Sequence, residues 1–284
     1  MLKRIIALAV IVVLALSGNA CAEEKWWNIL LLGTDNRYEV EGSYSRTDSM
    51  IILSVNTATQ EAKLTSLMRD TWVKIPGHGS GKLNAASVYG GPELTMQVIE
   101  ENFGVALDDY VIINITGMAD VIDLLGGIHL DVTEEERKAL NKGLFDLSSK
   151  SGMEKLEKSG TQVLLNGNQA VAFARIRMID SDYVRTERQR TVLTTLAERL
   201  KQDTGVFELA QLVMTLMPYV ETNLDLSEML ILGMTGLQMD MGTVQEMRLP
   251  ADGTFESGEF NGTWCIKPNF QKNAALLQEF IYGE

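Results

Sequence analysis

The stretch Trp27–Leu32 (WNILLL) is apolar at every position but Asn28 and stops at Gly33. A strand with no polar alternation is buried on both faces, so it predicts a sheet covered on each side. Met50–Val55 and Ala62–Leu67 also lean towards strand. Asn56–Gln60 (NTATQ) separates them, which predicts a hairpin. Trp72–Ile75 predicts a further short strand before Pro76-Gly77. Pro92, suited to a first helical turn, opens a helix to about Asn102 with Leu94, Val98 and Ile99 on one face. Strand Tyr110–Ile115 precedes a helix over Gly117–Leu125, stopped by Gly126-Gly127, and then strand Ile128–Val132. Helical patterns cover Gln169–Arg177 and Thr186–Lys201, and two more fall within Val206–Tyr219 and Ser227–Leu237. Gln245–Leu249 and Trp264–Ile266 read as late strands, and Asn269 caps a last helix to about Ile281. This alternation predicts an α/β fold, a three-layer α-β-α sandwich. The early hairpin makes the central sheet mixed rather than parallel.

No linker, repeat or charge block interrupts residues 23–284, which predicts one domain there. The chain begins differently. Lys3 and Arg4 precede an apolar run over Ile5–Leu16 and a small-residue exit, Ser17 to Ala22. That is the pattern of an export signal, so residues 1–22 are expected to be a signal sequence or short membrane anchor. The run is shorter than the roughly 20 residues that span a bilayer comfortably. Cleavage, lipidation at Cys21 and retention as an anchor stay open. Loss of residues 1–22 would remove Cys21 and leave Cys265 as the lone cysteine, expected as a small buried hydrophobe.

Composition excludes several functions. The net charge of −13 argues against a duplex-nucleic-acid binder, which needs a basic excess to replace counterions on phosphate. Two His and two Cys cannot build a four-cysteine zinc site or a His-rich metal centre. Gly77–Leu83 looks like a phosphate loop. However, Pro76 stands where the first Gly is needed and Leu83 replaces Ser or Thr, so it reads as a mobile loop beside the site.

The chemistry gathers in Asp and Arg. Asp35 follows the first strand at its carboxyl end, where open α/β sheets place ligands, and Asp48 leads into the next strand. If those strands are neighbours, the two carboxylates converge. Such a pair suits a hard cation such as Mg²⁺, although turn and cap roles explain each Asp equally well. Arg46 lies beside Asp48. Arg69-Asp70 follows the hairpin and could be a plain surface ion pair. Arg175 and Arg177 sit two apart, which suggests that a helix is ending. Arg185 and Gln189 are i, i+4 on one helical face, with Arg188 on its edge and Asp182 just upstream. Arg binds phosphate with a planar fork, so a bound pyrophosphate would give this clustering in an acidic chain a reason, and solvated helix faces with ion pairs are the alternative.

Taken together, NILLLGTDNR (28–37), SRTDSM (45–50), SLMRDTWVKIPG (66–77), KLNAASVYGGPE (82–93), LLGGIHLDV (124–132), LLNGNQAVAFARIR (164–177) and DYVRTERQR (182–190) resemble the LytR-CpsA-Psr family. The likeness covers a motif-bearing core, roughly 28–195. It departs from the family pattern at Val184, where a Gly is usual. The resemblance implies an exported enzyme at the outer face of the cytoplasmic membrane or in the cell wall. Such an enzyme would move an undecaprenyl-pyrophosphate-linked glycopolymer, of teichoic acid or capsule type, onto peptidoglycan. It implies that Asp35 and Asp48 hold Mg²⁺. It also implies that Arg46, Arg69, Arg175, Arg177, Arg185 and Gln189 bind the pyrophosphate, with Asp48, Arg46, Arg69 and Arg185 in the catalytic set. Between Asp35 and Asp48 the general base is open.

The lipid tail of such a substrate needs an apolar slot between sheet and helices. Met96, Val98, Met118, Val121 and Ile122 are the candidates for its lining, each of which could equally be plain core. Three rival functions remain: a polyprenyl-pyrophosphate phosphohydrolase, a non-catalytic envelope protein that holds pyrophosphate lipids, and a transcriptional attenuator. Export and the acidic charge speak against the last.

Overall fold

The computed structural model describes residues 26–34, 44–147, 154–203, 206–260 and 262–283. The expected signal segment and Asp35 lie outside them. In chain order the strands are β1 (Trp26–Thr34), β2 (Thr47–Asn56), β3 (Glu61–Leu67), β4 (Trp72–Ile75), β5 (Gly79–Lys82), β6 (Asp109–Asn114), β7 (Ile128–Val132), β8 (Gly160–Leu165), β9 (Val220–Thr222), β10 (Gln245–Leu249), β11 (Phe255–Phe260) and β12 (Thr263–Pro268). The α-helices are α1 (Ala86–Phe103), α2 (Ile115–Leu124), α3 (Glu134–Leu147), α4 (Gly167–Ala174), α5 (Asp182–Asp203), α6 (Val206–Leu216), α7 (Leu226–Gln238) and α8 (Phe270–Tyr282).

Six strands form the central sheet in the order β10-β3-β2-β1-β6-β9. β1 runs antiparallel to β2 and parallel to β6, and β10 runs parallel to β3, so the sheet is mixed as expected. Register sets the two faces. Leu30, Leu32, Met50, Ile52 and Ile112 pack with Val98, Ile99 and Phe103 of α1 and Leu277 and Ile281 of α8. The paired row Leu31, Ile51 and Val111 points the other way, because successive side chains of a strand alternate. Helices α4 and α5 cover that second face, which completes the three layers.

Several local signals act as read. Asn269 caps α8 by accepting from the Lys272 N–H. Gly126 and Gly127 end α2 at φ 78° and 92°. Gly91, at φ 67°, breaks α1 just before Pro92, and the tight contact with Tyr44 leaves no room for a Cβ there. Cys265 is buried. Two readings need correction. Residues 77–83 are not a loose loop: β5 pairs with β4, and only the turn between them is irregular. The helix read over Gln169–Arg177 is displaced: α4 stops at Ala174 with Arg175 as its C-cap, which is the ending that the spacing of Arg175 and Arg177 suggested.

A separate apolar cluster joins α2, α3 and α4 to the β7–β8 hairpin through Ile122, Ile128, Leu140, Leu165 and Phe173. Helix α3 escaped the periodicity reading because its sequence is charged and only Leu140 and Leu144 of it are buried in that cluster. Its start was nevertheless readable. Thr133 and Glu136 form a reciprocal cap, with the Glu136 N–H donating to Thr133 Oγ1 and the Thr133 N–H to Glu136 Oε2.

Candidate active site

One edge of the sheet collects the chemistry. β1 and β6 end there, β2 starts there, and β3 and β10 also end there. Thr34 at the end of β1 is registered on Thr47, which places Asp48 at the carboxyl end of β1. Arg69 follows β3 at the same edge. Helix α5 points its first turn, Asp182 to Arg185, at this point, and the segment after α4 brings Arg175 and Arg177.

Of the residues singled out in the sequence, Asp48, Arg69, Arg177, Arg185 and Asp182 come together here. Arg69 donates through Nη1 to Asp48 Oδ1, and Arg177 Nη2 lies 3.4 Å from Asp48 Oδ2. Arg185 Nη2 donates to Asp182 Oδ2 at 2.7 Å, and Arg69 Nε lies 3.9 Å from the same oxygen. Asp70 is no surface partner for Arg69. It is largely buried, 3.5 Å from Arg69 Nε, and accepts from Lys82 Nζ at 2.6 Å. Arg175 and Gln189 line the cavity described next. Arg46 is exposed, and among the described residues no ion pair ties it to Asp48.

Arg185 is the informative group. Its side chain is only 2% exposed, yet among the described residues Nε and Nη1 have no hydrogen-bond acceptor. Burial lowers its pKa to about 10, and the nearby positive charges of Arg177 and Arg69 add to this. Asp182 and Asp48 oppose the shift only in part. A buried guanidinium with spare donors is costly unless an anion answers it. Asp48 shows the complementary effect. Burial alone would raise its pKa, but Arg69, Arg177 and Arg185 together hold it below the usual carboxylate range.

From this polar end a cavity of ≈ 250 Å³ runs between the second face of the sheet and α2, α4 and α5. Asp48, Arg175, Gln189 and Asn114 stand in its wall, and the rest is mostly apolar: Leu31, Ile51, Val111, Met118, Val171 and Val192. Of the residues proposed for an apolar slot, Met118 lines it. Met96 and Val98 belong to the opposite face of the sheet, and Val121 and Ile122 to the β7–β8 cluster. Sequence patterns missed the real lining because it comes from separate elements, each of which reads as ordinary core.

Arg188 holds the site from behind. It donates through Nε to Glu136 at 2.9 Å and through Nη1 to Asp180 at 3.2 Å, with its guanidinium 5.7 Å from the Phe173 ring. The pair thereby ties the segment carrying Arg175 and Arg177 to α5 and α3. Arg188→Met is expected to destabilise the protein by about 2 kcal/mol or more, because it leaves two part-buried carboxylates unpaired. Urea denaturation measures this, and unchanged stability would remove the anchoring role.

Residues 11–279 match the LytR_cpsA_psr family. The chain belongs to that family. It is 31% identical over 245 residues to the polyisoprenyl-teichoic acid–peptidoglycan teichoic acid transferase TagU of Oceanobacillus iheyensis, covering 84% of this chain and 69% of that protein. Among solved structures, Bacillus subtilis TagV superposes with a TM-score of 0.73 at 25% identity, covering 92% of this chain and 98% of TagV. YwtF (TagT) with bound octaprenyl pyrophosphate lipid superposes with a TM-score of 0.66 at 26% identity, covering 92% of this chain and 94% of YwtF. Membership makes this chain an enzyme of the transferase type, and the fold expected from the sequence is that of its relatives.

Proposed function

We propose that the enzyme moves a phosphorylated glycopolymer of teichoic acid or capsule type from an undecaprenyl pyrophosphate carrier to a sugar hydroxyl of peptidoglycan. One observation carries this reading: the unanswered, buried Arg185 donors stand one helical turn from Gln189, where an otherwise apolar cavity begins. A diphosphate fits the charged end and a prenyl chain the cavity. The relative with bound octaprenyl pyrophosphate supports it.

The chemistry follows from charge. The acceptor oxygen attacks the glycan-side phosphorus, a P–O bond to the lipid phosphate breaks, and polyprenyl phosphate leaves. Arg69, Arg177 and Arg185 bind the diphosphate and stabilise the charge that grows on the leaving phosphate. Arg46, at the exposed rim, and Arg175, in the cavity wall, widen this cationic surface. A carboxylate takes the acceptor proton. Asp48 is suited to this and stays ionised at neutral pH, whereas a guanidinium does not give up its proton.

Mg²⁺ belongs to the proposal. Asp48 supplies carboxylate oxygens, and among the described residues the buried Thr47 Oγ1, next to it in sequence, has no hydrogen-bond partner. Mg²⁺ commonly takes one or two carboxylates and completes its shell with phosphate and water. Asp35, the second carboxylate of the proposed pair, lies outside the described residues. When bound, the ion would neutralise diphosphate charge.

The place of action is proposed as the outer face of the cytoplasmic membrane, where carrier and peptidoglycan meet. Among the described residues no helix is long and apolar enough to cross a membrane. The test is turnover of a polyprenyl-pyrophosphate glycan with peptidoglycan acceptor, read by mass spectrometry with Mg²⁺ and with chelator. Phosphodiester-linked glycan formed only with Mg²⁺ is expected. Free phosphorylated glycan would make the enzyme a hydrolase, and tight lipid binding without conversion would make it a carrier-holding protein.

A further inference from the structure

The apolar space does not end with the first cavity. A second cavity of ≈ 320 Å³ lies farther along the same face of the sheet, and Leu31 of β1 and Leu193 of α5 stand in the walls of both. Among the described residues its wall holds no charged side chain, and Thr194 is its one polar side chain. Leu53, Val55, Ala62 and Leu64 of the β2–β3 hairpin form the floor, and α5, α6 and α7 close it above. Asp48 in the first cavity and Val55 in the second are seven residues apart on one strand, or about 23 Å. Both chambers thus lie in line behind a single charged end.

Helix α7 keeps the second chamber open. Leu232, Gly233, Gly236 and Leu237 line it, so Gly236 sits in the middle of the lining face. The two glycines differ. A Cβ at Gly233 would fall 2.8 Å from Leu209 Cδ1, so that glycine serves the packing of α7 on α6. A Cβ at Gly236 would meet nothing within 4 Å. Helix-helix packing does not require a glycine at 236, although glycine weakens a helix interior.

We infer that the second chamber receives the distal isoprene units of the carrier, and that Gly236 sets the length of polyprenyl chain the enzyme accepts. The inference rests on the lipid-carrier reading above. The first chamber serves any prenyl diphosphate alike, because its polar end and near wall are the same for all. Only a long chain passes Leu31 and Leu193. Discrimination between carriers is therefore hydrophobic burial in the second chamber, which scales with the number of carbons removed from water.

The experiment titrates farnesyl pyrophosphate and undecaprenyl pyrophosphate into the full chain in one detergent. It uses the wild type, Gly236→Leu, and Ala197→Phe, which fills the chamber from the opposite wall of α5. The wild type is expected to bind both lipids. Each variant should lose about 10-fold or more in affinity for the long lipid while holding the short one within about twofold. Unchanged long-lipid affinity in both variants, or an equal loss for both lipids, overturns the inference. A wild type that binds neither lipid would instead overturn the carrier reading on which it rests.

Discussion

Arg185→Met is expected to stop turnover and, in the same protein, to raise the melting temperature. The guanidinium is 2% exposed and its pKa is pushed down to about 10, so at neutral pH the fold carries a charge that it disfavours. The sign is that of a base with a depressed folded pKa. Its charged form opposes folding at every pH below about 10, and only above that value is the opposition relieved. A methionine of similar length removes the charge and keeps the packing. Stabilisation of about 1–3 kcal/mol is expected, offset in part by the loss of the Asp182 hydrogen bond. Turnover should fall by about 10²-fold or more, the usual effect of losing a donor to transition-state charge. Inorganic pyrophosphate should stabilise the wild type to heat and leave the variant unmoved. A lower melting temperature in Arg185→Met would mean that the guanidinium is structural.

Asp48→Asn is expected to separate binding from chemistry. Burial pushes this carboxyl up, yet Arg69, Arg177 and Arg185 hold it below the usual range, so it remains ionised through neutral and mildly acidic pH. Its activity should therefore lack an acid limb until the pH falls below ordinary carboxylate values. The same pairing occupies Arg69 and Arg177, which the diphosphate also needs. Removing the charge frees both guanidiniums, so metal-free diphosphate should bind about 3- to 10-fold more tightly. Turnover should still fall by about 10²-fold or more, and the response to Mg²⁺ should disappear. Calorimetric binding and steady-state rates, measured on one preparation, read both effects. Asp48→Asn with Mg²⁺-dependent turnover near the wild-type rate would leave Asp48 neither metal ligand nor base.

Local chemistry was legible wherever a residue acts on its own neighbourhood. Asn269 as a cap, Pro92 after a break, and strands Trp72–Ile75 and Ile128–Val132 need only local patterns. The charged end of the site was legible for a different reason. Arg69 follows a strand end, Asp48 lies at a strand start, Arg185 lies in the first turn of a helix and Arg177 follows a helix end, and an α/β sheet gathers such positions at one edge. Arg188 was placed on the edge of the phosphate face, but only tertiary packing could reveal Glu136 and Asp180 as its partners. Strand β5, sequence GSGK, has no apolar residue and is held by its pairing with β4. The cavities were illegible altogether. A void depends on how far apart packed elements stop, and Val171, Val192 and Leu193 carry the same pattern whether or not a space lies between them.

The arrangement of charge and cavity is tested most directly by a crystal structure of the enzyme with a polyprenyl pyrophosphate. The expected complex has diphosphate oxygens within hydrogen-bond distance of Arg185 Nε and Nη1, Arg69 beside them, and the prenyl chain between α5 and the Leu31, Ile51 and Val111 face of the sheet. A diphosphate bound away from Arg185, or a prenyl chain lying outside the space between sheet and helices, would contradict it.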